Sequence, residues 1–204
     1  TGVQTCALPI FFSDRAHGAL LGLALGDAYG RSLEFVGLPG VRSRPVNTAQ
    51  LKWTDDTHMS IYLARALLSL PSNRWEASTF GNAVAREWLK WLRDPLTPDT
   101  APGRTCLSAA YNLENGATWE HSGIPTSDGC GAVMRIAPLP IALDGPNLTA
   151  AARISALSTH AHPNAVESAI AACWMLRWTL EEGVFSAELV ERTIAKLKGE
   201  WSAE

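Results

Sequence analysis

Two adjacent carboxylates, Asp55 and Asp56, stand between two threonine hydroxyls in Thr54-Asp55-Asp56-Thr57, directly ahead of an apolar run from Ile61 to Leu70. Thr54 suits a helix N-cap, which places both aspartates in the first turn. Helical neighbours do not share a face, so the two carboxylates point in different directions. That arrangement suits one carboxylate per metal ion, or one bridging and one terminal, in the oxygen-rich site that a hard cation such as Mg²⁺ takes. The plainer alternative is that first-turn acids complement the helix dipole, by about 0.3–1 kcal/mol each.

A second stretch, Ser127-Asp128-Gly129-Cys130-Gly131-Ala132-Val133-Met134-Arg135, puts two glycines ahead of an apolar segment. Glycines there let backbone N–H groups approach a ligand, and a helix N-terminus favours phosphate. Taken alone, the pair fits an ordinary turn better. The third stretch is Thr159-His160-Ala161-His162-Pro163. A zinc site would need a third ligand that has no counterpart nearby. His162, next to Pro163, suits a helix cap, and His160 suits a hydrogen bond to a ligand. Glu34, a lone carboxylate beside Leu33 and Phe35, is either a general acid or base with a raised pKa or a solvated loop residue. His58 lies one helical turn from Asp55, as a supporting residue or an exposed one. The eight tryptophans fall at helical core spacing and are assigned no chemistry.

The elements that must carry these residues read as helices throughout. Ser13 or Asp14 opens a helix to about Tyr29, with Gly18, Gly22, Gly26 and Gly30 at i+4 spacing. Each interior glycine costs roughly 0.8–1 kcal/mol relative to Ala, so the ladder predicts another helix packed closely on that face. Arg31 to Gln50 reads as a loop, long enough to be functional. Helices follow from Asp55 to about Leu70, Glu76 to Arg93, Arg104 to Glu114, Cys130 to Ala137 (stopping at Pro138), Asn147 to His160, Pro163 to Glu182, and from Ser186 to about Lys198. Strand signals are almost absent, and the fold class is all-α. Residues 1–12 fit no periodicity and are expected to be a non-native or disordered extension, with the domain spanning 13–204.

Composition narrows the function. The chain has 204 residues, 47% hydrophobic and 18% charged, enough for one domain with a sizeable core. A net charge of −3 with no basic stripe argues against nucleic acid as a principal partner. Cys6, Cys106, Cys130 and Cys173 are scattered, as free thiols in a reducing compartment would be. The most apolar helix is broken by Arg177, which argues against a membrane span. A monomeric cytoplasmic protein is expected.

In order along the chain, these stretches resemble the ADP-ribosylglycohydrolase family. The resemblance rests on Gly18-x-x-x-Gly22-x-Ala24-x-Gly26-Asp27-Ala28-x-Gly30 leading to Glu34, and on Trp53-Thr54-Asp55-Asp56-Thr57-x-Met59. It continues with Gly129-x-Gly131-x-x-Met134-Arg135-x-x-Pro138 and Thr159-His160, and covers residues 16 to about 180. It implies a compact orthogonal multi-helix bundle with a pair of Mg²⁺ ions, or Mn²⁺. The implied reaction is hydrolysis of the glycosidic bond joining ADP-ribose to a protein side chain or small acceptor. The implied partner is therefore an ADP-ribosylated protein or a small ADP-ribosyl compound. Thr54, Asp55 and Asp56 match the family's first metal ligands, and Glu34 its mobile glutamate near the scissile bond. Gly129, Cys130, Gly131, Ala132 and Met134 match its diphosphate cradle, and His160 the histidine near the nucleotide.

One departure matters. The family draws its other metal ligands from a later Asp-x-Asp-Thr segment, and no acidic residue after His160 stands in that pattern. Half a metal site is therefore expected, in a domain lacking its C-terminal part and inactive by itself. Apolar surface is expected to be uncovered around Leu20, Leu23 and residues 169–176. The alternative is an ADP-ribose-binding or structural relative without catalysis.

Overall fold

The computed structural model describes residues 7–34, 36–43, 48–71 and 75–201. Within them the chain is helical, in the order α1 (Ala7–Gly30), α2 (Leu38–Ser43), α3 (Asp55–Leu68), α4 (Ala77–Arg93), α5 (Arg104–Glu114), α6 (Pro138–Ala142), α7 (Gly145–Leu157), α8 (Pro163–Glu182) and α9 (Ala187–Trp201). Among the described residues the extended pairing is a single parallel bridge between Ile124 and His160.

Helix α4 organises the core because its apolar residues fall on one face. Phe80, Ala83, Val84, Glu87, Trp88 and Trp91 are all buried, at the three- and four-residue steps of a helical stripe. That face packs on α3, α5 and α7. Met59 and Leu63 of α3, Leu148 of α7 and Ile170 of α8 complete the centre. Truncating a fully buried tryptophan such as Trp88 costs about 3–5 kcal/mol. Helices α7 and α8 approach closely because alanines line their contact: Ala151, Ala152, Ala165 and Ala169 are all buried.

Both ends of α8 are closed by side chains. His162 Nδ1 accepts from the backbone N–H of Asn164 at 3.2 Å, which is the cap role its place before Pro163 predicts. At the other end Gly183 turns left-handed with φ 78°, and Arg15 of α1 donates to the carbonyls of Leu180 (2.9 Å) and Glu181 (2.7 Å). A Cβ on Gly183 would lie 2.5 Å from that guanidinium, so glycine is required by conformation and by space.

Several expectations need correcting. Helix α1 begins at Ala7, ahead of Ser13, so residues 7–12 continue the helix; residues 1–6 lie outside the described set. The stretch 31–50 is not plain loop, since it carries α2 and a 3₁₀ turn at Thr48–Gln50. A Cβ on Gly18, Gly22, Gly26 or Gly30 would meet nothing within 4 Å, so no described element packs on the glycine ladder. The helix expected at Cys130–Ala137 is a single 3₁₀ turn, Cys130–Ala132, and Pro138 opens α6 instead of ending a helix. Proline lacks the N–H that would continue a helix from Met134 yet fits a first turn, so the run breaks there. Around α8 the 169–176 face is not bare: Ala169, Ile170 and Cys173 are fully buried.

Candidate active site

Asp55 and Asp56 stand in the first turn of α3, and Thr54 holds the N-cap position with an extended backbone. The Thr54 hydroxyl does not cap the helix, however. Asp27 of α1 does so from outside: its carboxylate accepts from the backbone N–H of Thr54 (2.8 Å) and of Thr57 (3.1 Å). It also accepts from the hydroxyls of both threonines. One carboxylate thus satisfies four donors and clamps α1 to the start of α3. From sequence Asp27 stands out only as part of the Gly26-Asp27-Ala28 motif, and its task is set by the packing of α1 on α3.

Behind this clamp the two aspartates sit in different surroundings. Asp55 is 7% exposed and its Oδ2 accepts from Gly103 N at 2.9 Å. Burial pushes its pKa up to about 6; the Gly103 N–H opposes that, while the charges of Asp56 and Glu34 add to it. Asp56 is also raised, first by burial and then by the charge of Asp27, against a hydrogen bond from Thr54. The Thr54 hydroxyl lies 2.6 Å from Asp27 and 3.2 Å from Asp56, and it has one proton to give. The two carboxylates therefore share that donor, with Asp27 the nearer.

A cleft of about 670 Å³ opens in front of these groups, within the range of small-ligand sites. Glu34, Asp55, Asp56, Gly129, Cys130, Gly131, Met134 and His160 line it. Four stretches separated by up to 126 positions (160 − 34) thus meet at one place. Thr54 and Ala132 are not on the wall: Thr54 is turned to Asp27, and the Ala132 side chain is fully buried in the core. The glycine loop reaches the cleft as a three-residue 3₁₀ turn, so the loop itself brings no α-helix N-terminus to it; the first turns of α3 and α5 do. Gly131 is needed for space, because a Cβ there would come within 2.5 Å of the His160 ring. His58 is buried beside Asp94 (3.3 Å), off the cleft wall. A hollow of about 750 Å³ between α7 and α8 is slightly larger but is lined by none of the candidate residues.

Sequence reasoning missed one wall. Pro102, Gly103, Arg104, Thr105 and Cys106 also line the cleft, and Thr105 Oγ1 meets Ser127 Oγ at 2.9 Å. Ala101, at the rim, has φ 54° without being glycine, a strained position of the kind that collects at working sites. Prolines at 95, 98 and 102 stiffen the loop that leads into this wall, and nothing in their spacing says what it faces. Among the described residues no group of three or more His, Cys, Asp or Glu side chains is placed to hold a metal ion by itself.

The described residues thus form an all-α bundle whose acidic cleft is lined by a glycine loop and a buried histidine. Residues 9–204 match the family model for ADP-ribosylglycohydrolase, and the chain belongs to that family. It is 36% identical over 144 residues to the ADP-ribosylarginine hydrolase Tri1 of Pseudomonas putida, covering 63% of this chain and 36% of that protein. It is 31% identical over 168 residues to the ADP-ribosyl-dinitrogen reductase glycohydrolase of Rhodospirillum rubrum, covering 74% of this chain and 52% of the relative. A solved structure described as an ADP-ribosylglycohydrolase-related protein complex superposes with a TM-score of 0.65 at 29% identity, over 88% of this chain and 60% of the other. The chain therefore spans roughly a third to three-fifths of the length of these relatives. No helix among the described residues is long and apolar enough to cross a membrane.

Proposed function

We propose that the cleft binds ADP-ribose and hydrolyses the glycosidic bond that joins it to a protein side chain. Arginine is the first acceptor to test, because a relative's name specifies it. The observation that carries this reading is the convergence of Glu34, Asp55 and Asp56 with the Gly129–Gly131 loop and His160 on one wall. Three carboxylates around one cleft repel one another, and the pKa of Asp55 is raised first by burial and then by the charges of Asp56 and Glu34. A divalent cation, Mg²⁺ with Mn²⁺ as the alternate, relieves that repulsion. Asp55 and Asp56 would hold such a cation through carboxylate oxygens. When bound it orients the ribose diol and makes a water more acidic.

The chain's own residues do the rest. Glu34, at the exposed edge, accepts a proton from the attacking water as a general base. Gly129 and Gly131 keep the wall free of side chains, so a diphosphate lies against backbone. The test measures ADP-ribose binding by calorimetry and ADP-ribose release from an ADP-ribosylarginine peptide, with Mg²⁺ and with EDTA. Binding, together with Mg²⁺-dependent release that Glu34→Gln abolishes, is the expected result, and such release would overturn the expectation that half a metal site leaves this chain inactive. Absence of ADP-ribose binding by the folded chain overturns the reading. That no third His, Cys, Asp or Glu among the described residues is placed to complete a metal site favours one other reading, an ADP-ribose binder without catalysis. Binding with no release at saturating Mg²⁺ selects it.

A further inference from the structure

Arg135 is fully buried behind the cleft, and its hydrogen-bond partners include no carboxylate. Its guanidinium stacks over Trp88 at 4.7 Å and donates to the Ser155 carbonyl and, at 2.7 Å, to Thr159 Oγ1. A buried cation held by neutral groups is costly, and an apolar residue of similar size would pack there more cheaply. Its position supplies a reason. Thr159 Oγ1 is also 2.9 Å from His160 Nδ1, while its other neighbour, the Ala156 carbonyl, is 3.5 Å away.

The direction of these bonds follows from their chemistry. A guanidinium only donates, so Thr159 Oγ1 is an acceptor toward Arg135. Its single proton then goes to the nearer acceptor, His160 Nδ1, since 3.5 Å is too long for a good hydroxyl bond. A neutral imidazole that accepts at Nδ1 carries its proton on Nε2. That nitrogen faces the glycine loop: the Cβ of a residue at Gly129 would lie 3.6 Å from it.

We propose that Arg135 is a positioning residue which, through Thr159, fixes His160 as the Nε2–H tautomer, so that the cleft presents a hydrogen-bond donor to an acceptor atom of the ligand. The identity of that ligand as ADP-ribose rests on the function proposed above; the tautomer does not. Burial, and then the guanidinium charge, also hold His160 down to about 4, which keeps the ring neutral near pH 7. Protonating Nδ1 would force Thr159 to turn its proton toward Ala156 while Arg135 faces the new cation.

The test is nitrogen-15 NMR of the histidine rings in the 204-residue chain, with calorimetry of ADP-ribose binding alongside. The wild type is expected to give the Nε2–H pattern for His160. Thr159→Val, which keeps the shape and removes the hydroxyl, is expected to give a mixture of tautomers and to weaken ADP-ribose about tenfold, while Thr159→Ser restores both. An Nδ1–H pattern in the wild type overturns the proposal, whether or not any variant folds. An unchanged tautomer in folded Thr159→Val overturns it too. If the tautomer behaves as expected but ADP-ribose fails to bind the wild type, the relay stands and the ligand assignment falls.

Discussion

Asp27 and His160 are the two residues whose surroundings most exceed what their types suggest. Asp27 answers two backbone N–H groups and two hydroxyls with one carboxylate. Asp27→Ala leaves the orphan donors at the head of α3 without an acceptor, and about 2–3 kcal/mol of stability is expected to go with it. Urea denaturation at neutral pH measures this; a loss below 0.5 kcal/mol would mean water replaces the carboxylate without cost, at roughly the scale of a surface change. His160 ties stability to pH. Its folded pKa, about 4, lies below the ordinary imidazole value of 6.5, so between those values the unfolded chain binds more protons. Its contribution is therefore complete above about pH 6.5 and is lost as pH falls toward 4. Replacing it by Gln keeps a polar group and removes the titration. Between pH 7 and 5, wild type is expected to lose on the order of 1–2 kcal/mol more than His160→Gln. Parallel losses in both proteins would place the acid sensitivity elsewhere.

At the scale of elements, α1 is the unusual one. Its inner side is clamped by Arg15 and Asp27 to α8 and α3, while its four spaced glycines face open space. A glycine in an open helical position only loosens the helix. Gly22→Ala is expected to stabilise this chain by about 0.5–1 kcal/mol, read as a higher urea midpoint at constant slope. Destabilisation instead would reveal a backbone packed against that face. The contrast with Gly131 and Gly183 is instructive, since there a Cβ would strike His160 or Arg15. Gly131→Val would thus push into the His160 ring and Cys106, so it tests packing as much as ligand binding.

Among the described residues, the same helix carries four of the exposed large apolar side chains. Leu21 is 64% exposed and Leu25 61%, with Leu20 and Tyr29 beside them. Contiguous patches of this kind promote association. The chain is expected to self-associate at high micromolar concentration, and the double substitution Leu21→Glu with Leu25→Glu to suppress this without lowering the urea midpoint. Light scattering across a concentration series decides it. A wild-type chain that stays monomeric throughout would show the patch to be too small or too broken to matter.

The helical class, most helix ends and the carboxylate, glycine and histidine stretches were all legible from sequence, because each depends on short-range physics. Apolar spacing sets a helix, a proline opens or stops one, and His162 caps α8 from two residues away. Pro138 shows the limit: the same missing N–H both ends and begins helices, and only its neighbours in space select which. The family motifs named which stretches belong together, and the fold brought Glu34, Asp55, Gly131 and His160 to one wall. What tertiary structure alone decided are the partnerships between distant side chains. Asp27 caps a helix that starts 28 residues later (55 − 27), and Arg135 reaches His160 through Thr159. The glycine ladder is open where its spacing suggested a neighbour. Such contacts depend on where whole helices lie against one another, and no local period in a chain encodes that.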